Sequence, residues 1–209
     1  MGEELAKLLE ARFIREIKHP DWLANLVMVP KKDKSWRLCV VFKDFNKACP
    51  KDQFPLPRID QIIDATAGHD SLCFLNAYSG YHQIKMADSD QAATVFITPY
   101  DPFYFNTMPF GLKHAGATYQ RMIRTCLEKQ IGKIVEAYVD DVVIKTRHVE
   151  SLIDDLRLTF DNLRTYDIKL NPEKCVFGVP AGKLLGFIVS NRGIEANPAI
   201  RAMSYLATP

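Results

Sequence analysis

"AYVDDVVIK", residues 137–145, sets two adjacent aspartates, Asp140 and Asp141, between apolar and β-branched runs. The pattern reads as two strands joined by a tight turn, so it predicts an antiparallel hairpin that holds both carboxylates at its turn. Like charges at that separation repel, and each carboxyl resists ionising unless something compensates. A hard divalent cation such as Mg²⁺ is the usual remedy, since it prefers carboxylate oxygen and retained water. An aspartate-rich turn facing solvent is the plain alternative, because aspartate hydrogen-bonds its own backbone there.

If the pair holds metal, a third acidic ligand is expected from a neighbouring strand. Upstream, "FLNAYSGYHQI", residues 74–84, runs an apolar strand into Asn76 and places Tyr81 five residues further on. Asn76 stands where that acid would be, and it is neutral. A strand-to-helix junction with an asparagine cap and a core tyrosine would read the same way. "MPFGLKHAGATYQ", residues 108–120, enters a helix through a Pro-x-Gly turn. Its free N–H groups suit a base or phosphate, or simply begin the helix. "PKKDKSWR", residues 30–37, gathers Lys31, Lys32, Lys34 and Arg37 at a hairpin tip. Such a cluster grips a polyanion or forms a solvated turn.

Around these motifs the chain alternates helical and extended signals. "EELAKLLEARFIREI", residues 3–17, predicts an amphipathic helix through Leu5, Leu8, Leu9, Phe13 and Ile17. "LVMV" and "RLCVVF" predict a hairpin, and a short helix is expected between Pro57 and Gly68. "SLCFLNA", "TVFITP" and "FYFNTM" read as strands. A second helix has Ala115, Tyr119, Met122 and Cys126 along one face. A third has Val149, Leu152, Ile153, Leu156, Phe160 and Leu163 as its stripe. "LNPEKCVF" and "KLLGFIVSNRGI" then read as antiparallel strands, with a short helix from Pro198. Long helices among paired antiparallel strands indicate an α+β fold with helices on one face of a sheet.

Bulk composition narrows the function classes. A net charge of +2 over 209 residues argues for no polyanion by itself, so any such case rests on local clusters. There is no apolar run of roughly 18 residues and no signal peptide, which predicts neither a membrane span nor secretion. Five scattered cysteines without a CxxC pair read as reduced thiols, hence an intracellular setting, cytoplasmic or nuclear.

Taken in order, "RLCVVFKDFNKACPKDQFPLPRIDQ", "LNAYSGYHQI", "MPFGLKHAGATYQ", "YVDDVVIK", "LNPEKCVFG" and "LLGFIVSNRGIEANP" resemble the fingers and palm of a reverse transcriptase from gypsy-type long-terminal-repeat retrotransposons. Plant elements of this type look nearest. The resemblance runs from residue 3 to about 205. It implies fingers at about 1–70 and 86–106, palm at about 71–85 and 107–190, and the start of a thumb at about 191–209. Thumb, connection and ribonuclease H are expected to be absent.

Residue by residue, the resemblance puts Asp140 and Asp141 on the family's catalytic aspartate pair and Asn76 on its first catalytic aspartate. Tyr81 matches the aromatic gate that excludes a ribose 2′-hydroxyl. Phe110 and Gly111 match the turn beneath the incoming base and template. Lys31 or Lys32, with Arg37, match the triphosphate grip, and Lys174 matches more loosely a lysine near the leaving group. Leu185, Gly186 and Phe187 match the turn that supports the primer end. Val41 stands where the family has an acid.

The implied cofactors are two Mg²⁺ ions held by Asp140, Asp141 and Asn76, with Mn²⁺ able to substitute. The implied partners are an RNA or DNA template with a DNA primer, and deoxynucleoside triphosphates. Losing one unit charge at ~4 Å is worth roughly 4 kcal/mol at an effective dielectric of about 20. That is about three decades in rate, so polymerase activity is expected to be weak or lost. A catalytically dead module that binds nucleic acid or protein is the alternative.

Overall fold

The computed structural model describes residues 2–30 and 36–196, and Arg37 by its backbone only. The first elements are α1 (Gly2–Glu10), β1 (Ile14–Glu16), β2 (Asn25–Pro30), β3 (Trp36–Val41), α2 (Lys43–Ala48), α3 (Ile59–Thr66) and β4 (Ser71–Asn76). Next come a 3₁₀ turn at Gly80–Gln83, α4 (Asp88–Gln91), β5 (Phe96–Ile97), β6 (Pro102–Phe105) and α5 (Ala115–Cys126). The chain continues through β7 (Val135–Tyr138), β8 (Asp141–Thr146), α6 (Leu152–Thr165), β9 (Val176–Val179), β10 (Ala181–Leu184), β11 (Phe187–Ser190) and β12 (Gly193–Ala196). The fold is α+β. No helix among the described residues is long and apolar enough to cross a membrane.

Two compact units divide the chain. The first comprises residues 1–53 and 79–118, the second residues 54–78 and 119–209. Their borders fall at 53/54, 78/79 and 118/119.

In the first unit a three-stranded sheet of order β1-β6-β5 accompanies the two-stranded ribbon β2–β3. Leu5, Ile14, Val40, Phe42, Phe96, Phe103 and Phe105 form its core. The N-terminal helix stops at Glu10, short of the Ile17 expected. Arg12 adopts a φ of 57°, and Ile14 instead pairs with Phe105 across β1 and β6. The apolar spacing at Phe13 and Ile17 satisfied a helical period, but β-branched Ile14 between them buries its side chain in the sheet. The ribbon turns Val40 into the core and leaves Val27, Val29 and Val41 exposed on its other face. The lysine-bearing tip between its strands lies outside the described residues.

The second unit is built on an antiparallel sheet of order β7-β8-β4-β9. On one side Leu72 and Val143 meet Ile62 and Ile63 of α3, with Leu184 and Val189 of the β10-β11-β12 sheet. The alternating residues Cys73, Leu75, Val142 and Ile144 are also buried, so the sheet is covered on both faces. α5 and α6 are joined where the Cys126 thiol donates to the Asn162 carbonyl at 3.5 Å. Along α6 the buried side chains are Thr159 and Leu163, while Ile153 is 61% exposed and Val149, in the 3₁₀ turn before the helix, 60%. Leu152, Leu156 and Phe160 are half-buried, so the expected stripe turns inward only in part.

Beneath this sheet lies a buried ion pair. Lys145 Nζ stands 2.7 Å from Glu136 Oε1 and also donates to the Ala65 carbonyl at 2.8 Å.

Candidate active site

The β7–β8 hairpin forms as its apolar runs require, with Tyr138 paired to Asp141 across a two-residue loop, Val139–Asp140. Asp141 is therefore not in the turn as expected; it opens β8. From there it pairs on its other side with Asn76, the last residue of β4. The hairpin's return strand thus brings the carboxylate pair and the neutral amide to one end of one sheet.

The loop is strained. Val139 has a φ of 51°, a region that β-branched residues avoid. Such a residue persists only where its surroundings over-determine it. Gln120 on α5 does so: its Oε1 accepts the Val139 N–H at 2.6 Å, and its Nε2 donates to the Ala137 carbonyl at 3.0 Å. Gln120 is only 2% exposed. This role has no signal in the sequence, since an amide on a helix has no periodic signature and both its partners are backbone.

Electrostatics at the tip are unbalanced. Burial raises the Asp140 carboxyl above its ordinary range, the Asp141 charge raises it further, and the Lys174 ammonium opposes both. Asp140 Oδ1 is buried and has no partner among the described residues. Burial also raises Asp141, although its side chain reaches the surface.

Lys174 ends a single 3₁₀ turn, Pro172–Lys174, whose Asn171 cap accepts the Glu173 N–H at 3.2 Å. This turn is stitched to Asn76 directly. Asn171 N donates to the Asn76 carbonyl at 2.8 Å, and Asn76 N–H reaches Cys175 Sγ at 3.4 Å. Asn76, Asp140, Asp141 and Lys174 are therefore one constellation.

Asn76, Asp141 and Lys174 line the polar end of an open cavity of about 330 Å³, with Phe74 and Val176 among its apolar walls. Gly182 on β10 makes that packing possible: a Cβ there would fall 2.1 Å from the Phe74 ring. The Leu185-Gly186 loop joins β10 to β11 with φ values of 47° and 93°. Two central residues at positive φ are the mark of a tight type I′ hairpin. Phe187 opens the return strand and packs with Leu185 against the core beside Leu184.

The donor set suits a hard divalent cation in kind: two carboxylates with a bare buried oxygen, and one amide oxygen. It falls short in charge. No group of three acidic, histidine or cysteine side chains that could hold a metal occurs among the described residues.

A second cluster lies within the first unit. Tyr81 sits on the Gly80–Gln83 turn with its ring 5.0 Å from that of Phe110. Gly111 has a φ of 97°, and a Cβ on it would meet the Val40 carbonyl at 2.9 Å, so only glycine fits. Asn46 holds this turn with both ends of its amide. Its Nδ2 donates to the Gly111 carbonyl at 2.8 Å, and its Oδ1 accepts the Lys113 N–H at 2.7 Å. Asn46 too was not singled out from the sequence. Tyr81, Phe110 and Gly111 thus come together. Lys31 and Lys32 lie outside the described residues, and the Arg37 backbone pairs with Val29 in the ribbon.

Comparison with known proteins agrees with this architecture. A family model described as reverse transcriptase (RNA-dependent DNA polymerase) matches residues 29–189. The chain is 33% identical to the retrovirus-related Pol polyprotein from transposon opus of Drosophila melanogaster, over 99% of this chain and 21% of that protein. It is 30% identical to the Pol polyprotein from transposon gypsy of the same fly, over 95% of this chain and 20% of the relative. The Tf2-3 polyprotein of Schizosaccharomyces pombe is 28% identical over 92% of this chain and 14% of its own length. The chain thus spans about a fifth or less of these curated relatives. Among solved structures, the foamy viral protease–reverse transcriptase in complex with double-stranded DNA superposes with a TM-score of 0.90 at 17% identity, covering 99% of this chain and 37% of that one. Its complex with an RNA/DNA hybrid gives 0.87 at 18% identity, over 98% of this chain and 27% of the other.

Proposed function

The chain belongs to the reverse transcriptase (RNA-dependent DNA polymerase) family, in the form carried by retrotransposon polyproteins, and from that premise we propose that it is a templated DNA-synthesis domain with impaired chemistry. The observation that carries this reading is the cross-strand pairing of Asn76 with Asp141 beside the bare oxygen of Asp140. The position that faces Asp141 lacks a charge.

In this reading the first unit serves as fingers and the second as palm. Asp140, Asp141 and the Asn76 amide hold the metal. When bound, Mg²⁺, or Mn²⁺ in its place, supplies activation of a primer 3′-hydroxyl and charge neutralisation on a deoxynucleoside triphosphate. The residues of the chain do the rest. Gln120 fixes the hairpin that presents the carboxylates, and Lys174 offers its ammonium on the same side. The Leu185-Gly186-Phe187 turn supports the primer end. Tyr81 closes the sugar site, and Phe110 with Gly111 bears the base. Lys31, Lys32 and Arg37 grip the triphosphate. The partners are an RNA or DNA template and a DNA primer, inside the cell, in cytoplasm or nucleus, where five free thiols stay reduced.

Primer extension on an RNA template, with Mg²⁺ and then Mn²⁺, tests the reading against Asn76→Asp. The substitution is expected to raise the rate by about three decades, the worth of one unit charge at this separation. Equal, robust extension by the unaltered chain would overturn the account of Asn76. If neither protein extends while both bind primer–template in a salt-dependent manner, the non-catalytic binding module is the correct reading.

A further inference from the structure

Tyr81 rides on a 3₁₀ turn only four residues long, entered through Ser79 at a φ of 48° with no side-chain cap. So short a turn has little rigidity of its own. The bracing comes from the next residue. His82 lies between two phenylalanine rings, stacked on Phe13 at 4.7 Å and 20° and on Phe105 at 5.9 Å and 7°. It also meets Phe110 edge-on, at 5.5 Å and 89°. Its Nδ1 stands 3.4 Å from the Thr107 hydroxyl, in the segment that leads into the Phe110 turn.

Phe110 is the same ring against which Tyr81 packs. On its far side the Tyr81 hydroxyl abuts α5: a Cβ on Gly116 would lie 3.7 Å from it. The two aromatic side chains thus share one backing, and His82 is its centre. Burial keeps the imidazole neutral, which is the state that stacks as an uncharged ring.

We infer that His82 is a positioning residue for sugar selection: layered between Phe13 and Phe105, it fixes the ring of Phe110 and the turn of Tyr81, and so sets how sharply the site rejects a 2′-hydroxyl. This rests on the reading of Tyr81 as the sugar gate. His82 touches no substrate atom and acts through its two aromatic neighbours. A ring is what the role requires, so phenylalanine suffices and alanine does not.

The test reads nucleotide selection without turnover. The chain is mixed with Mg²⁺ and an RNA template bearing a dideoxy-terminated DNA primer. Resistance of the complex to competitor nucleic acid is then titrated with the next deoxynucleoside triphosphate and with its ribonucleotide counterpart. The unaltered chain is expected to prefer the deoxynucleotide. His82→Ala is expected to lower that preference at least fivefold, His82→Phe to keep it within about twofold, and Phe13→Leu to fall between. Should His82→Ala fail to fold, Phe13→Leu decides, and an unchanged preference there overturns the inference. A folded His82→Ala with full preference overturns it too, as does a His82→Phe no better than alanine. Preference that survives Tyr81→Val removes the gate itself. No nucleotide-dependent complex with the unaltered chain removes the polymerase reading, and this inference with it.

Discussion

Gln120 Oε1 accepts the backbone N–H of Val139 at 2.6 Å, one residue before the aspartate pair. This contact and its companion to Ala137 turn a strained dipeptide into a fixed platform for two carboxylates.

Gln120→Ala strips a half-buried N–H and a buried carbonyl of their partners at once. Each unsatisfied group costs about 1–3 kcal/mol, so a loss of roughly 2–6 kcal/mol is expected in chemical denaturation. Gln120→Glu keeps the acceptor for Val139 but loses the donor to Ala137, and should fall between. A loss under about 0.5 kcal/mol for the alanine variant would show that the hairpin holds itself.

Divalent cation is expected to stabilise the protein measurably. At a hundredfold excess over Kd a ligand bound by the native state alone adds about 2.7 kcal/mol. For a chain of this length that is roughly 5–10 °C in Tm. Mg²⁺ or Mn²⁺ should raise Tm, chelation should reverse it, and Asp140→Asn or Asp141→Asn should abolish it. Asn76→Asp should shift the effect to lower metal concentration. A Tm indifferent to metal in both the unaltered chain and Asn76→Asp would exclude the site as a resident metal centre.

Acid should weaken the first unit through His82. Burial pushes its pKa from 6.5 down to about 4, against a smaller upward pull from the Met108 backbone. Below the ordinary value the unfolded chain takes up a proton that the folded one refuses, so stability falls as pH drops from 6.5 towards 4. At about 1.4 kcal/mol per pH unit the full loss approaches roughly 3 kcal/mol. The difference between His82→Phe and the unaltered chain should trace this slope in denaturation from pH 7 to 4.5. A pH-independent difference would mean that His82 protonates freely when folded.

Gly182 and Phe74 form a tight pair suited to a double-mutant cycle. Gly182→Ala puts a Cβ into the Phe74 ring and should cost about 1–3 kcal/mol, the usual penalty for overpacking. Phe74→Leu opens space and should cost less when alanine is already present. A coupling energy near zero would show that β10 simply moves aside.

Much of this was legible in the sequence because the decisive segments are short, unbroken apolar runs, as strands covered on both faces must be. "AYVDDVVIK" reads as a hairpin, and "FLNAYSGYHQI" as a strand that runs into Asn76. What stayed hidden was one-sided. Gln120 and Asn46 work by gripping backbone, so nothing in their spacing announces them. Phe13 and Ile17 fitted a helical stripe, and the choice of strand between them fell to the pairing of Ile14 with Phe105, 91 positions away in the chain. Asp141 was misplaced by one residue because the length of a turn depends on which φ values its residues accept, and Val139 accepts an unusual one.

The Glu136–Lys145 pair sets a limit on how this hairpin can fail. The two charges lie diagonally across β7 and β8, sealed from water, and each is tolerable only opposite the other. A slip of one residue would rotate a bare charge onto the opposite face, where hydrocarbon awaits it. The pair works as a ratchet tooth: the strands engage in a single notch or not at all. Damage to this end of the sheet should therefore deplete the population of intact molecules rather than leave every molecule slightly misaligned, and partial-loss variants should be mixtures of fully competent and fully unfolded chains.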